Sequence, residues 1–122
     1  MRSVLTILLC MVPFTASAEW TQHKVMENGD EHYFDPTQVE TDGNIVRVPS
    51  RVRYRTSVMG AKSYESEIKL NCLERTQSSV RSTFFNDENW QTPAMATNTR
   101  EQPPVGIKAG SAVDSLAEIL CE

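Results

Sequence analysis

Residues 62–73 alternate strictly. Tyr64, Ser66, Ile68, Leu70 and Cys72 share one parity, and Ser63, Glu65, Glu67, Lys69 and Asn71 share the other. A period of two with one apolar and one charged face predicts a strand of an antiparallel sheet whose second side meets water. Residues 45–56 carry the same signature more sharply, with Val46, Val48, Val52 and Tyr54 on one face and Arg47, Arg51, Arg53 and Arg55 on the other. Pro49-Ser50 interrupts that run. Proline donates nothing to a ladder, so a bulge or an edge position is expected there. An edge strand near Pro49 would in turn support a homodimer.

Residues 20–27 and 31–35 flank Asn28-Gly29-Asp30, a hairpin signal that puts His23, Val25, His32 and Phe34 on one face. Asp35-Pro36 ends the second strand, and Thr41-Asp42-Gly43-Asn44 makes another turn. Residues 74–86 predict a further long strand, with Val80 and Phe84 on one parity and Phe85 on the other, and residues 90–95 a shorter one broken by Pro93. Residues 98–110, containing Pro103-Pro104, read as an extended loop. Ser111, with Asp114 three positions on, opens a helix whose apolar stripe is Val113, Leu116, Ala117, Leu120 and Cys121. A helix of roughly 11 residues is marginal alone, so packing and a covalent tie must hold it. Trp20, Tyr64, Phe84, Phe85 and Trp90 are assigned to the core that so small a domain needs.

The first residues bear on where the domain works. Residues 1–18 have a short positive start at Arg2, an apolar stretch from Val4 to Phe14 and Ala16-Ser17-Ala18 as a cleavage site, which predicts a secretory signal peptide. The apolar run is too short for a permanent membrane span. Residues 19–122 then form one domain, and 122 residues in all leave no room for a second. Leu9 stands where a lipidated Cys10 would need a small residue, so Cys10 is expected to leave with the signal and the chain is not expected to be a lipoprotein. Two cysteines remain. In an oxidising compartment Cys72 and Cys121 would pair, tying the strand to the helix, and closing a loop of roughly 50 residues is worth about 4 kcal/mol by the loop-entropy model. The formal charge of −4 goes to −5 without Arg2, which argues against general nucleic-acid binding.

Several landmarks in order resemble the surface-adhesin protein E family of Gram-negative bacteria. They are Trp20, the Tyr33-Phe34-Asp35-Pro36 segment, the Gly43-Asn44 turn, the valine-rich strand, the stretch from Ser63 to Cys72, and a Ser111-led helix ending in Cys121. The resemblance implies an α+β fold: an antiparallel sheet of about six strands with one C-terminal helix tied by a disulfide to one face. It also implies ligands among host matrix proteins, heparin-like glycans and haem. The absent lipidation site is the one departure from the family pattern.

The arginine row is the most pointed candidate site. Arg47, Arg51, Arg53 and Arg55 on one face could hold a sulfated glycan or an acidic protein surface by bidentate hydrogen bonds. The competing reading pairs them with Glu65 and Glu67 on the neighbouring strand. His23 and His32 would be diagonal neighbours if the Asn28-Gly29 turn has two residues, and could then ligate a metal or haem iron with Glu27 or Asp30 nearby. Two hairpin histidines are more often plain surface residues, so no metal or cofactor is assigned. No catalytic residue is assigned either: pairing leaves no free thiol, and Gly-x-Ser-x-Gly, His-x-x-x-His and phosphate-loop signatures are missing. The expected function is an exported, non-catalytic, adhesin E-like binding module for a host matrix protein or heparin-like glycan. The alternative is a periplasmic accessory protein with a bacterial partner.

Overall fold

The computed structural model describes residues 18–121, so the signal peptide expected over residues 1–18 lies, but for Ala18, outside the described residues. Two strands, β1 (Thr21–Val25) and β2 (Glu31–Phe34), form the first hairpin, and β3 (Glu40–Asp42) follows a 3₁₀ turn at Pro36–Gln38. The long strands are β4 (Ile45–Val58), β5 (Ala61–Asn71) and β6 (Thr76–Phe85). After them come β7 (Ala96–Asn98), β8 (Val105–Gly106) and α1 (Ala112–Leu120). All pairings are antiparallel, in the order β1-β2-β4-β5-β6-β7, with β3 also on β4 and β8 also on β6. Eight strands thus stand where about six were expected. The additions are two short pairings, of three and two residues, that the surrounding turn chemistry hid.

The inner face follows the alternation. Val46, Val48, Ser50 and Val52 of β4 are buried, as are Ser66, Ile68 and Leu70 of β5. Leu116 and Ala117 of α1 pack on Phe34, Val46, Val48, Ile68 and Leu70, and Val113, Leu120, Cys72 and Cys121 border that cluster. Full burial of a side chain such as Leu70 or Leu116 is worth about 1.5–3 kcal/mol, so the helix is held by its face. Cys72 and Cys121 are joined, with Cα atoms 5.5 Å apart. Ser111 caps α1: its Oγ accepts from the Asp114 N–H at 3.1 Å. The Asp114 carboxylate reaches back to the Gly110 N–H at 3.0 Å and takes Arg75 at 3.1 Å.

Pro49 does not mark an edge. It lies in the middle of an unbroken β4, opposite Glu67, and β4 has neighbours on both sides. On its other flank β4 pairs with β3 over residues 45–47 and with β2 over residues 50–53, so Pro49 faces the gap between them. Its carbonyl still accepts from the Asp35 N–H at 3.2 Å; no ladder donor is missed. The edge strand expected as a dimer surface at Pro49 is therefore absent, and the outer strands of the main path are β1 and β7.

Three local expectations also change. The first turn has three residues, because Met26 and Asp30 still bond (2.9 Å) and the Gly29 N–H reaches the Met26 carbonyl (2.9 Å). Gly29 sits at φ +93°, and a Cβ there would come within 3.0 Å of the Arg55 stem, so both backbone and space require glycine. A bulge at His23 then shifts the register, and Val25 pairs with Glu31 and is exposed instead of joining the His23 face. Residues 90–95 form no strand. The Asp87 carboxylate takes the N–H groups of Asn89, Gln91 and Thr92, and the ladder resumes beyond Pro93, where the Met95 N–H reaches Phe84 at 2.8 Å.

Candidate functional site

The face of the sheet away from α1 holds the sequence-predicted residues. Arg51 lies directly across from Glu65 and is bonded to it, Nε to Oε2, at 2.9 Å. Arg53 donates to the Glu88 carbonyl (3.0 Å) and the Tyr33 hydroxyl (3.1 Å), and stands 3.7 Å from Glu31. Tyr33 in turn donates to Glu31 at 2.8 Å. Arg47 and Arg55, at the two ends of the row, are exposed and form no ion pair among the described residues. Glu67, the other expected partner, lies opposite Pro49 and Arg81 and pairs with no arginine there. The row thus splits into an engaged middle and two open ends, about 26 Å apart along the strand.

Aromatic rings lock the middle. The Arg51 guanidinium sits 4.1 Å from the Trp20 ring centre and 4.9 Å from that of Trp90, and Arg53 sits 5.0 Å from Trp90 and 5.6 Å from Tyr33. Arg51 thus lies against both tryptophans, and Arg53 against Trp90 and Tyr33, whose rings also meet edge-on with centres 5.9 Å apart. Each such contact is worth about 0.5–2 kcal/mol, according to how dry it is. The loop after β6 delivers Trp90. Thr92 Oγ1 donates to Asp87 at 2.7 Å, Ser63 Oγ donates to the Asp87 carbonyl at 2.6 Å, and Trp90 Nε1 donates to the Tyr64 carbonyl at 2.9 Å. Trp90 adopts φ +56°, a left-handed conformation uncommon for a bulky side chain. Burial would raise the Asp87 carboxyl, but the donors from Thr92, Gln91 and Asn89 bring it down to about 2.

Trp20 and Trp90 are therefore not core residues. Neither belongs to the buried cluster, and Ser63, of outer parity, is fully buried because the Asp87–Trp90 loop covers it. Tyr64 and Phe84 do pair on the inner side, with ring centres 4.7 Å apart, whereas Phe85 faces out. Beside the stack runs an open groove of about 800 Å³, walled by Trp20, Arg51 and Phe85. Its charges are mixed: Arg51 and Arg81 against Glu40, Glu65 and Glu67.

Asp35 closes the far end of β2. It is fully buried, and its carboxylate accepts from the Thr37 N–H (2.9 Å), Thr37 Oγ1 (2.6 Å) and Gln38 Nε2 (2.9 Å). Burial works against its charge, but these bonds, those of Thr37 foremost, hold the carboxyl below its ordinary value.

The histidines lie on the opposite face. His23 and His32 are half-buried with ring centres 6.1 Å apart, and His23 packs edge-on against Phe34 at 5.7 Å. Ser115 of α1 donates to the His23 carbonyl at 3.1 Å and lies 3.4 Å from His23 Nδ1. Burial, followed by His32 and Lys24, lowers His23 to about 4. Burial also lowers His32, against the pull of Asp30. His23 packs against α1 and His32 lies beside His23, so neither is the plain surface residue expected. Among the described residues no group of three or more His, Cys, Asp or Glu is placed to hold a metal, and no helix is long and apolar enough to cross a membrane.

These features define a small α+β domain: a helix disulfide-tied to one face of an antiparallel sheet, with an aromatic–arginine stack on the other. The family model for surface-adhesin protein E matches residues 20–122, and the chain belongs to that family. Solved structures with the same fold include protein E of Haemophilus influenzae, at TM-score 0.63 and 18% identity, covering 82% of this chain and 84% of that one. The structure of protein E from non-typeable Haemophilus influenzae gives 0.61 at 17%, covering 87% and 78%. At such identities the likeness is one of fold. No curated protein matches the chain at a significant level.

Proposed function

We propose that the chain is an exported, non-catalytic binding module of the adhesin type that engages an extracellular macromolecule through the outer face of its sheet. Its signal peptide, residues 1–18, would be removed on export. The single observation that carries the reading is the asymmetry of the sheet. One face is filled by α1, while the other keeps two exposed arginines, an aromatic–arginine stack and an open groove. Membership of the surface-adhesin protein E family supports the same surface role. The ligand classes are a host matrix protein and a heparin-like polyanionic glycan. Arg47 and Arg55 would supply the charge, while Arg51 and Arg53, held by rings and acids, would supply a fixed frame.

Retention of the purified domain on heparin and on immobilised matrix proteins tests this. The double substitution Arg47→Gln with Arg55→Gln is expected to abolish salt-sensitive retention with the melting temperature unchanged. Retention equal to that of the parent would reject the arginine row as the binding site.

A further inference from the structure

We propose that the tip of the β4–β5 hairpin, where Met59 projects with Val58 and Met95 around it, is a docking point for an anionic lipid surface. Met59-Gly60 alone joins the two strands, since Val58 pairs with Ala61. Both linking residues have positive φ, +51° at Met59 and +87° at Gly60. That is the type I′ hairpin geometry, whose first position favours Asn, Asp or Gly. Methionine is strained there by its own backbone. It gains no packing to offset this, because 97% of Met59 is exposed. Val58 and Met95 add further exposed apolar surface, and the Met95 methyl lies 3.4 Å from where a Cβ on Gly60 would stand. A local rule broken with no compensating contact inside the domain points to a contact outside it.

Shape and charge select the occupant. A two-residue turn is narrow and convex, and offers far less than the roughly 800 Å² per partner of a stable protein interface. One flexible apolar side chain is enough to enter the headgroup boundary of a bilayer. Residues 55–62 carry two exposed cations, Arg55 and Lys62, and no acid. Their long stems can lie along apolar surface and set the charges among lipid phosphates. Two acids near the base of the tip are already occupied. Asp30 accepts from the Arg55 N–H at 2.9 Å, and Asp87 takes the N–H groups of Asn89, Gln91 and Thr92. The exposed acids Glu27 and Glu88 stand farther back, in neighbouring turns. So small a contact gives weak, reversible docking. Because the tip ends two strands, the sheet would stand upright on the lipid and leave its outer face free for the ligand proposed above.

The test is co-sedimentation of the purified protein with vesicles of phosphatidylglycerol and phosphatidylcholine in equal parts, and with vesicles of phosphatidylcholine alone. Binding to the anionic vesicles is expected with a partition constant on the order of 10⁴ M⁻¹, falling as salt is raised. Met59→Asn should lower it at least about tenfold, and Lys62→Gln about fivefold. Asparagine suits the turn, so the Met59→Asn protein is expected to melt at or above the parent temperature. Its loss of binding could not then be put down to misfolding. The same variant should keep its retention on heparin, which separates this proposal from that of the arginine row. Equal sedimentation with both kinds of vesicle, or binding by Met59→Asn equal to that of the parent, overturns the lipid assignment. Attachment to envelope fragments that protease treatment of the fragments abolishes, with none to protein-free vesicles, would also overturn it and give the tip to a protein partner.

Discussion

Loss of the Cys72–Cys121 bond should be the most damaging single change outside the core. The bond closes a loop of 49 residues between the end of β5 and the end of α1, which by chain entropy is worth about 4 kcal/mol. Its effect should be concentrated on α1, a nine-residue helix that could not persist alone and that buries only Leu116 and Ala117 fully. The β5 end has independent support, since the Cys72 N–H bonds the Asn44 carbonyl at 2.8 Å. With an unfolding entropy of about 2.1 cal/mol/K per residue, 4 kcal/mol in a domain of about 100 residues lowers the melting temperature by roughly 15–20 °C. Calorimetry of the Cys72→Ser/Cys121→Ser double variant, and of the parent with reductant, measures this. Far-ultraviolet circular dichroism at 25 °C should still show the sheet. A shift under about 3 °C would refute the reasoning, because the native packing of α1 would then suffice without the tie.

Two further outcomes are expected. Burial lowers His23 to about 4 in the folded state against an ordinary 6.5, so the folded chain binds fewer protons than the unfolded one between those values. Stability is full above pH 6.5 and falls as pH drops towards 4, by roughly 1–2 kcal/mol once the ring's partial exposure is discounted. In His23→Gln, melting curves over this window should lose His23's share of the slope, while the share of His32, also lowered by burial, and the decline below pH 4 from Asp35 and Asp87 should remain. Trp90→Ala removes the ring between Arg51 and Arg53 and the bond to the Tyr64 carbonyl. It should cost about 2–3 kcal/mol in urea unfolding, and Trp90→Phe about 1 kcal/mol; no change in either would mean that the stack contributes nothing to stability.

What could be read from the sequence was what period two encodes. The inner face of β4 and β5, the arginine parity, the Ser111 cap, the stripe on α1 and the disulfide all follow from alternation, helical spacing and cysteine count. Pro49 was misleading because a lone proline cannot reveal that its strand has two half-length neighbours with a gap between them. Val25 was misplaced because one bulged residue at His23 inverts everything beyond it. His23 looked superficial because nothing local tells a hairpin that a helix some ninety residues later will pack on it.

The aromatic stack shows where periodicity stops being informative. Trp20 precedes β1 and Trp90 lies in a loop, so the strands expected over residues 20–27 and 90–95 gave neither a true parity, and the demand for core volume misplaced both. That demand was met instead by valine, isoleucine and leucine under the helix. The usable signal was Asp87, followed within five residues by Asn89, Gln91 and Thr92: a side chain that takes several backbone N–H groups builds a fixed loop, not a strand. A fixed loop beside a row of arginines can set a tryptophan between two of them. For the binding role proposed above, the consequence is a division of labour within the row. Arg51 and Arg53 already satisfy acids and rings, so replacing them should act first on stability, whereas Arg47 and Arg55 keep their charge open to an external anion.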